Sequence, residues 1–432
     1  MKRTLTMLAA LVLTLSLVLG AVPALAEEPV KLVLWTWGST EGEDNPCNYY
    51  QKLTNGKVEF EQVVVSADDY LTKLQQALAS GGDMPDILMG EATARASLLA
   101  LGIWENLEAA PYNLNREELY PSVYGVTADK EGNIVSVENA INPGFIGYKR
   151  SLAKEYLGTD DPDALEQMFQ TYDDYIRIGQ EVYAKSEGKV VLFNGLQDIV
   201  RMMDAQSKTQ SKFDANGNLD LEHLYRPVVE TLAKFRDANA AGNRGYWSSQ
   251  WSTAYDEDVC IFQVCAPWSI RFNIVPNDVD GEGNWGAFKA IPGGSFTLGG
   301  TSYGINKHSS EEKKQAAWEF ISWYLLSKEG SQFVLEKEQN FLPVKAFYND
   351  DSYVDGTHPW FGEQKIYRLF ERLIDDPVLA QTEYTVYDNI IQNALYMVSE
   401  LLLADSSVGA EEAYELFIED VAANVYDVEV IR

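Results

Sequence analysis

Ten tryptophans and twenty-four tyrosines in a chain of 432 residues are the side chains best placed to do chemistry, and the chemistry they suit is recognition of a sugar ring. A pyranose offers a face of C–H groups that packs on an aromatic plane. Its hydroxyls need amides, carboxylates and guanidinium groups as hydrogen-bond partners in a dry cleft. Trp37, Trp247, Trp251, Trp268 and Tyr384 are the aromatic candidates, with Glu91, Asn142 and Arg271 as polar ones. Trp35 reads as core because it lies inside an apolar strand, whereas Trp37 and Glu91 fall at strand ends, where open α/β sheets bind ligands. Each candidate has an ordinary alternative: packing for the aromatics, and for Glu91 the capping of the helix that follows it.

Catalytic signatures are missing. His223, His308 and His358 are far apart and match no zinc-protease or zinc-finger spacing. The sequence has no phosphate loop, no serine elbow and no cysteine–histidine nucleophile signature. Carboxylates are too numerous for counting to exclude a glycosidase pair, yet no two stand out. Asp214, Asn216, Asn218 and Asp220 alternate like calcium ligands but lack the glycine and the closing glutamate of such a loop, which leaves a polar turn. The reading is a binding protein rather than an enzyme, with no cofactor and no metal.

The candidate side chains need strands that end together. Leu32, Val33, Leu34 and Trp35 form an unalternating run, the pattern of a buried parallel strand, and carry Trp37 to its carboxyl edge. Ser66 and Asp69 have capping spacing, and Tyr70, Leu71, Leu74, Ala77 and Leu78 share one helix face that Gly81-Gly82 ends. Asp83-Met84-Pro85-Asp86 then turns the chain, and the strand Ile87-Leu88-Met89 delivers Gly90-Glu91 to the same edge. Further helices are predicted from Asn45-Pro46 to Asn55-Gly56, over 92 to 100, 171 to 184, 221 to 240, from Ser309 to a stop at Gly330, and over 366 to 374, 389 to 403 and 411 to 425. Strands are predicted over 58 to 65, 190 to 193, 285 to 291 and 296 to 305.

The order Asp69-Tyr70-Leu71, Lys73-Leu74, Ala77-Leu78-Ala79-Ser80-Gly81, Met84-Pro85-Asp86 and an apolar strand resembles the extracellular solute-binding proteins of ABC importers, particularly the sugar-binding family that includes maltose-binding protein. Thr54-Asn55-Gly56-Lys57-Val58, Thr171-Tyr172-Asp173-Asp174-Tyr175, Ala266-Pro267-Trp268, Gly299-Gly300-Thr301 and Asn340-Phe341-Leu342-Pro343 extend the resemblance over nearly the whole chain. It implies an α/β fold of the periplasmic-binding-protein type II, with two doubly wound lobes joined by a multi-segment hinge. Crossings around Asn142, Gly294 and Pro343 divide the chain into one lobe of residues 27–141 and 294–343 and another of 142–293 and 344–432. The resemblance sets the Trp268 indole on the ligand and brings the Gly300-Thr301 backbone close to it, since glycine has no side chain in the way. The implied function is capture of a carbohydrate, an oligosaccharide, by a monomer that delivers it to an ABC transporter permease. The family's longer helix near residue 50 and the proline before its threonine signature are both absent here.

Composition narrows the partners. A net charge of −31 repels nucleic acid and phosphorylated ligands and fits a neutral or cationic ligand, although a solvated, solubilising surface is the better account of it. A polyamine is therefore the second ligand class, and a secreted carbohydrate-active enzyme the rival of another class. Lys2 and Arg3, the apolar segment Met7 to Val22 and Ala24-Leu25-Ala26 have the layout of a secretory signal peptide over residues 1–26, with the mature chain starting at Glu27. Many relatives carry a cysteine for lipid directly after that apolar segment; the first here is Cys47, so the expected product is exported, periplasmic or extracellular, and held at the envelope by its permease rather than by lipid. Cys47, Cys260 and Cys265 leave at most one bridge, and Cys260 and Cys265 should face opposite sides of one strand.

Overall fold

The computed structural model describes residues 28–290 and 292–431, so the predicted leader and the start at Glu27 lie outside the described residues. Its strands are β1 Val30–Thr36, β2 Val58–Val64, β3 Ile87–Glu91, β4 Ser136–Glu138, β5 Phe145–Lys149, β6 Val191–Phe193, β7 Leu219–Asp220, β8 Cys260–Cys265, β9 Trp285–Phe288, β10 Thr301–Ile305 and β11 Val430–Ile431. They form a five-stranded sheet ordered β2-β1-β3-β10-β4, a four-stranded sheet ordered β6-β8-β5-β9 and a small β11-β7 pair. β1 runs parallel to β2 and to β3, with Leu34 opposite Ile87, whereas β10 enters antiparallel between β3 and β4. The chain thus returns to the first sheet after building the second.

Local chemistry accounts for the first sheet. Ser66 Oγ accepts the Asp69 N–H at 3.2 Å and Gly81 takes φ +65°, so the helix Ala67–Ser80 begins and ends where capping chemistry predicts. Tyr70 and Leu74 are its buried face, and the Tyr70 hydroxyl accepts the Met89 N–H at 2.9 Å, fixing helix to strand. Asp86 does more than turn the chain. Its carboxylate accepts from the Val33 N–H at 2.9 Å, the Ser309 hydroxyl at 2.6 Å and Lys313 Nζ at 2.8 Å, clamping β1, β3 and the helix Glu311–Ile321 together.

Each sheet has its own apolar core: Leu32, Leu34, Ile87, Leu88, Ile305 and Phe320 are buried around the first, and Ile146, Tyr148, Leu192, Phe193, Phe262 and Phe288 around the second. The helices Ile366–Ile374, Asp388–Ala404 and Ala410–Asn424 all pack on the side of the second sheet. The cysteines are three buried free thiols, Cys47 in the first core and Cys260 and Cys265 on β8. Among the described residues no helix is long and apolar enough to cross a membrane.

Three expectations are corrected. The predicted strand 296 to 305 is β10 alone, because Gly299 at φ +72° and Gly300 at φ +121° leave the extended conformation. Gly330 does not stop a helix: Glu311–Ile321 continues as a wider turn over Ser322–Leu326, and Ser327 Oγ then accepts the Gly330 N–H at 3.0 Å to start the helix Lys328–Phe333. Glycine is needed there because a Cβ would lie 2.0 Å from the Trp323 carbonyl oxygen. The helix predicted from Ala92 begins only at Arg95, since Glu91 Oε2 accepts the Thr93 N–H at 2.7 Å and holds a turn in between.

The connections between the sheets run side by side. Leu298 N–H donates to the Asn142 carbonyl at 2.9 Å, and Ile141 N–H to the Phe341 carbonyl at 2.6 Å, so the segments before β5, before β10 and after Phe333 are stitched to one another. The fold therefore gathers strand ends, glycine-rich backbone and connecting segments along one line between the sheets.

Candidate ligand-binding site

A cavity of about 800 Å³ opens along that line, within the range of small-molecule sites. One wall comes from the first sheet. β1 delivers Trp37, whose ring meets Tyr70 edge-on at 5.4 Å and 88°, and β3 delivers Glu91. Trp35 stays out of the cavity, packed on the first core and edge-on to Tyr70 at 6.3 Å.

The floor is backbone. Asn142, Gly299, Gly300 and Thr301 line the cavity, and the Asn142 amide donates to the Ala140 carbonyl at 3.1 Å. Beneath Gly300 lies a buried ion pair, Arg95 Nη1 to Glu138 Oε1 at 2.6 Å, with both side chains 3 % exposed or less. A Cβ on Gly300 would sit 2.7 Å from Glu138 Oε2 and 2.8 Å from Asn142 Nδ2, so only glycine lets the floor rest on this pair. Arg95 also donates to the Gly90 carbonyl at 3.0 Å and lies 5.9 Å from the Tyr384 ring centre, reaching from the helix after β3 toward the opposite wall.

That opposite wall is aromatic and charged. Trp268 follows β8, where Ser269 Oγ accepts the Ala266 N–H at 3.0 Å; its Nε1 donates to the Leu298 carbonyl at 2.8 Å. Trp247, at φ +62° and 54 % exposed, stacks on Trp268 with ring centres 6.4 Å apart and planes 17° from parallel. Arg271, Phe272 and Tyr384 complete this side, Phe272 being 56 % exposed into the cavity.

Nine of the ten sequence candidates, Trp37, Glu91, Asn142, Trp247, Trp268, Arg271, Gly300, Thr301 and Tyr384, come together at the cavity. Trp251 is the correction. It is 1 % exposed, turned inward on the short helix Ser249–Thr253, with Nε1 donating to Asp198 Oδ1 at 3.1 Å, and it supports the Tyr246 ring from behind at 5.0 Å. Its hydrogen-bond capacity is spent in the core.

Sequence reasoning missed Arg201, Asp204 and Lys208 on the wholly buried helix Leu196–Ser207 and its cap. Their i, i+3, i+7 spacing, a charged face that begins inside the apolar run Ile199 to Met203, was the available signal. Asp204 accepts from Lys208 at 3.0 Å, the Tyr225 hydroxyl at 3.1 Å and Gln392 at 3.3 Å, while Lys208 Nζ sits 5.2 Å from the Tyr384 ring centre. Glu338, also missed, lines the cavity; burial pushes its carboxyl up to about 7 against the Tyr324 hydroxyl at 2.7 Å and the more distant Arg271, which pull it down.

A family model described as bacterial extracellular solute-binding protein matches residues 47–356. No curated protein sequence matches the chain. Among solved structures, an extracellular solute-binding protein of family 1 superposes with TM-score 0.77 at 19 % identity, covering 91 % of this chain and 99 % of that one. The galacto-N-biose/lacto-N-biose I-binding protein of the Bifidobacterium longum ABC transporter gives 0.70 at 15 % identity, with 94 % and 99 % covered. An ABC substrate-binding protein of Listeria monocytogenes in complex with cycloalternan gives 0.70 at 16 %, with 92 % and 99 % covered. These likenesses establish the periplasmic-binding-protein fold, and the family match establishes more: this chain belongs to the bacterial extracellular solute-binding proteins.

Proposed function

We infer that the protein captures a carbohydrate, an oligosaccharide, between its two lobes and hands it to the permease of an ABC importer, without chemical turnover. The observation that carries this reading is the Trp247–Trp268 stack, an extended aromatic surface left open to a cavity that also presents polar groups such as Glu91, Asn142 and Arg271. An exposed indole in a monomer is costly unless something covers it, and a sugar's C–H face covers it while its hydroxyls reach the polar side chains of the lining. The shared fold of proteins named for lacto-N-biose and in complex with cycloalternan supports the same ligand class.

A thermal-shift screen tests it. Mono- and oligosaccharides should raise the melting temperature where polyamines and peptides do not, since a ligand bound only by the folded chain adds RT ln(1 + [L]/Kd), about 2.7 kcal/mol at a hundredfold excess over Kd. Stabilisation by spermidine alone would move the assignment to the cationic class, and release of shorter sugars on incubation would move it to an enzyme.

Closure follows from the stitched connections. Units of residues 27–141 with 294–343, and 142–293 with 344–432, would turn about segments near Asn142, Gly294 and Pro343. Ligand contacts both only when they are shut, so it shifts the equilibrium toward the closed form that a permease can read. Small-angle scattering at saturating saccharide should show a smaller radius of gyration than the free protein; an unchanged radius counts against closure. For export, residues 1–26 serve as a leader, and intact mass of the secreted protein should correspond to a chain from Glu27 with no acyl group; retention of the leader or an added acyl mass would refute this.

A further inference from the structure

Arg201 is a buried side chain of the cavity wall with unsatisfied donors. Its side chain is 4 % exposed, yet none of its five N–H groups donates a hydrogen bond to a described residue. Its nearest partners are the Tyr246 ring, 3.7 Å below the guanidinium carbon, and Asp198, 3.7 Å from Nη1. Asp198 is already spent on the Trp251 indole at 3.1 Å and the Gly195 N–H at 3.1 Å. A guanidinium cannot shed its proton to escape burial, so donors left without acceptors are destabilising until a ligand supplies them.

Arg271 presents the same situation on the same wall. It makes no hydrogen bond or ion pair within the described residues, and the ring beside it is that of its neighbour Phe272, at 5.6 Å. The two arginines border one aromatic surface: Arg201 stacks on Tyr246, Trp247 stacks on Trp268, and Arg271 follows three residues later.

Most carboxylates of the cavity are in the opposite condition, Glu41 being the exception. Asp204 is paired with Lys208, Asp388 lies 3.3 Å from Lys212, Glu91 is tied to the Thr93 N–H, and Asp44 lies 3.6 Å from Lys337. Glu338 accepts from the Tyr324 hydroxyl. The buried charge left with unused hydrogen-bonding capacity is therefore positive, although Glu41 is an exposed carboxylate without an ion pair among the described residues on the same cavity and the chain as a whole carries −31. Net charge acts on approach at long range and is screened, whereas the Arg201 donors, which make no hydrogen bond despite the ion pair with Asp198, and the half-buried Arg271 act at contact.

We propose that the saccharide bound here carries a carboxylate, as a uronic acid does, and that Arg201 and Arg271 receive it. This rests on the carbohydrate reading above. A carboxylate accepts two parallel N–H bonds from one guanidinium, a geometry that a sugar hydroxyl does not reproduce.

Calorimetry on the full-length secreted protein tests this with di- and trisaccharides of galacturonate, glucuronate, mannuronate and guluronate, each beside its methyl ester, which keeps every hydroxyl and removes the charge. At least one acid should bind about tenfold or more tightly than its ester, the worth of one charge-assisted hydrogen bond. Arg201→Gln and Arg271→Gln should each shrink that ratio; Arg271 is only half-buried, so its variant serves if the other does not fold. Equal binding of acid and ester, or a preference that survives in both variants, overturns the proposal. Binding of neutral oligosaccharides with none of the acids overturns it while leaving the carbohydrate reading intact; binding of no saccharide at all removes both.

Discussion

Glu138→Ala should lower the unfolding free energy by about 3 to 5 kcal/mol, because it leaves the Arg95 guanidinium charged, buried and without its partner. The reciprocal change should cost less. In the wild type, burial pushes the Glu138 carboxyl up to about 7, with Arg95 the main influence pulling it down and Glu91 adding to the rise. Without Arg95, as in Arg95→Met, the carboxyl can take up a proton and become a neutral buried acid, an escape that arginine lacks. The pH dependence follows from that difference. A carboxyl whose folded pKa is raised contributes stability at low pH and loses it as pH climbs through the folded value. Removing Arg95 raises that value further, so the deficit of Arg95→Met against wild type should widen as pH rises above about 7. Urea melts at pH 6 and pH 8.5 decide it: equal costs for the two variants, or a deficit that narrows with rising pH, would show that the pair does not hold the floor as described. Glu138→Ala should also weaken ligand binding, since Gly300 rests on that carboxylate.

The same pair explains part of what the sequence could and could not show. Tyr70 and Leu74 recur at helical spacing and Ile87 to Met89 do not alternate, so helix, strand and the position of Glu91 at the strand end were readable from pattern alone. Arg95 was not, because it sits in the predicted helix like any surface arginine, and only the arrival of β4 beside β10 puts Glu138 against it. The helix Leu196–Ser207 was overlooked for a related reason. Every one of its residues is buried, so it shows no apolar stripe with a polar back, and part of what satisfies its charges comes from far along the chain, as where Gln392 donates to Asp204. Trp251 is a candidate by residue type alone, but a five-residue helix turns it inward and hands its indole to Asp198.

Trp268→Ala should weaken saccharide binding by about 2 kcal/mol or more, roughly thirtyfold in Kd. The size follows from what the indole holds. It is half-buried against the second core, so its position is set by packing, and its Nε1 bond to the Leu298 carbonyl fixes the plane of the ring beside the Gly299-Gly300 turn. A Cβ at Gly299 would lie 3.0 Å from that nitrogen, so ring and floor are fitted to each other. Removing the indole takes away a rigid face for the sugar, leaves the Leu298 carbonyl without its donor and deprives Trp247 of the ring it stacks on. Trp247 is itself more than half exposed and held at a left-handed backbone angle, so it does not replace the lost surface. A conservative partner separates the contributions: Trp268→Phe keeps an apolar ring but loses the Nε1 bond, and should fall between wild type and Trp268→Ala in affinity. Calorimetry for affinity and denaturant melts of the ligand-free protein belong on the same samples. If Trp268 were only a packing residue, the damage would appear as about 3 to 5 kcal/mol of lost stability with near-normal affinity in whatever remains folded, and that outcome would remove Trp268 from the site.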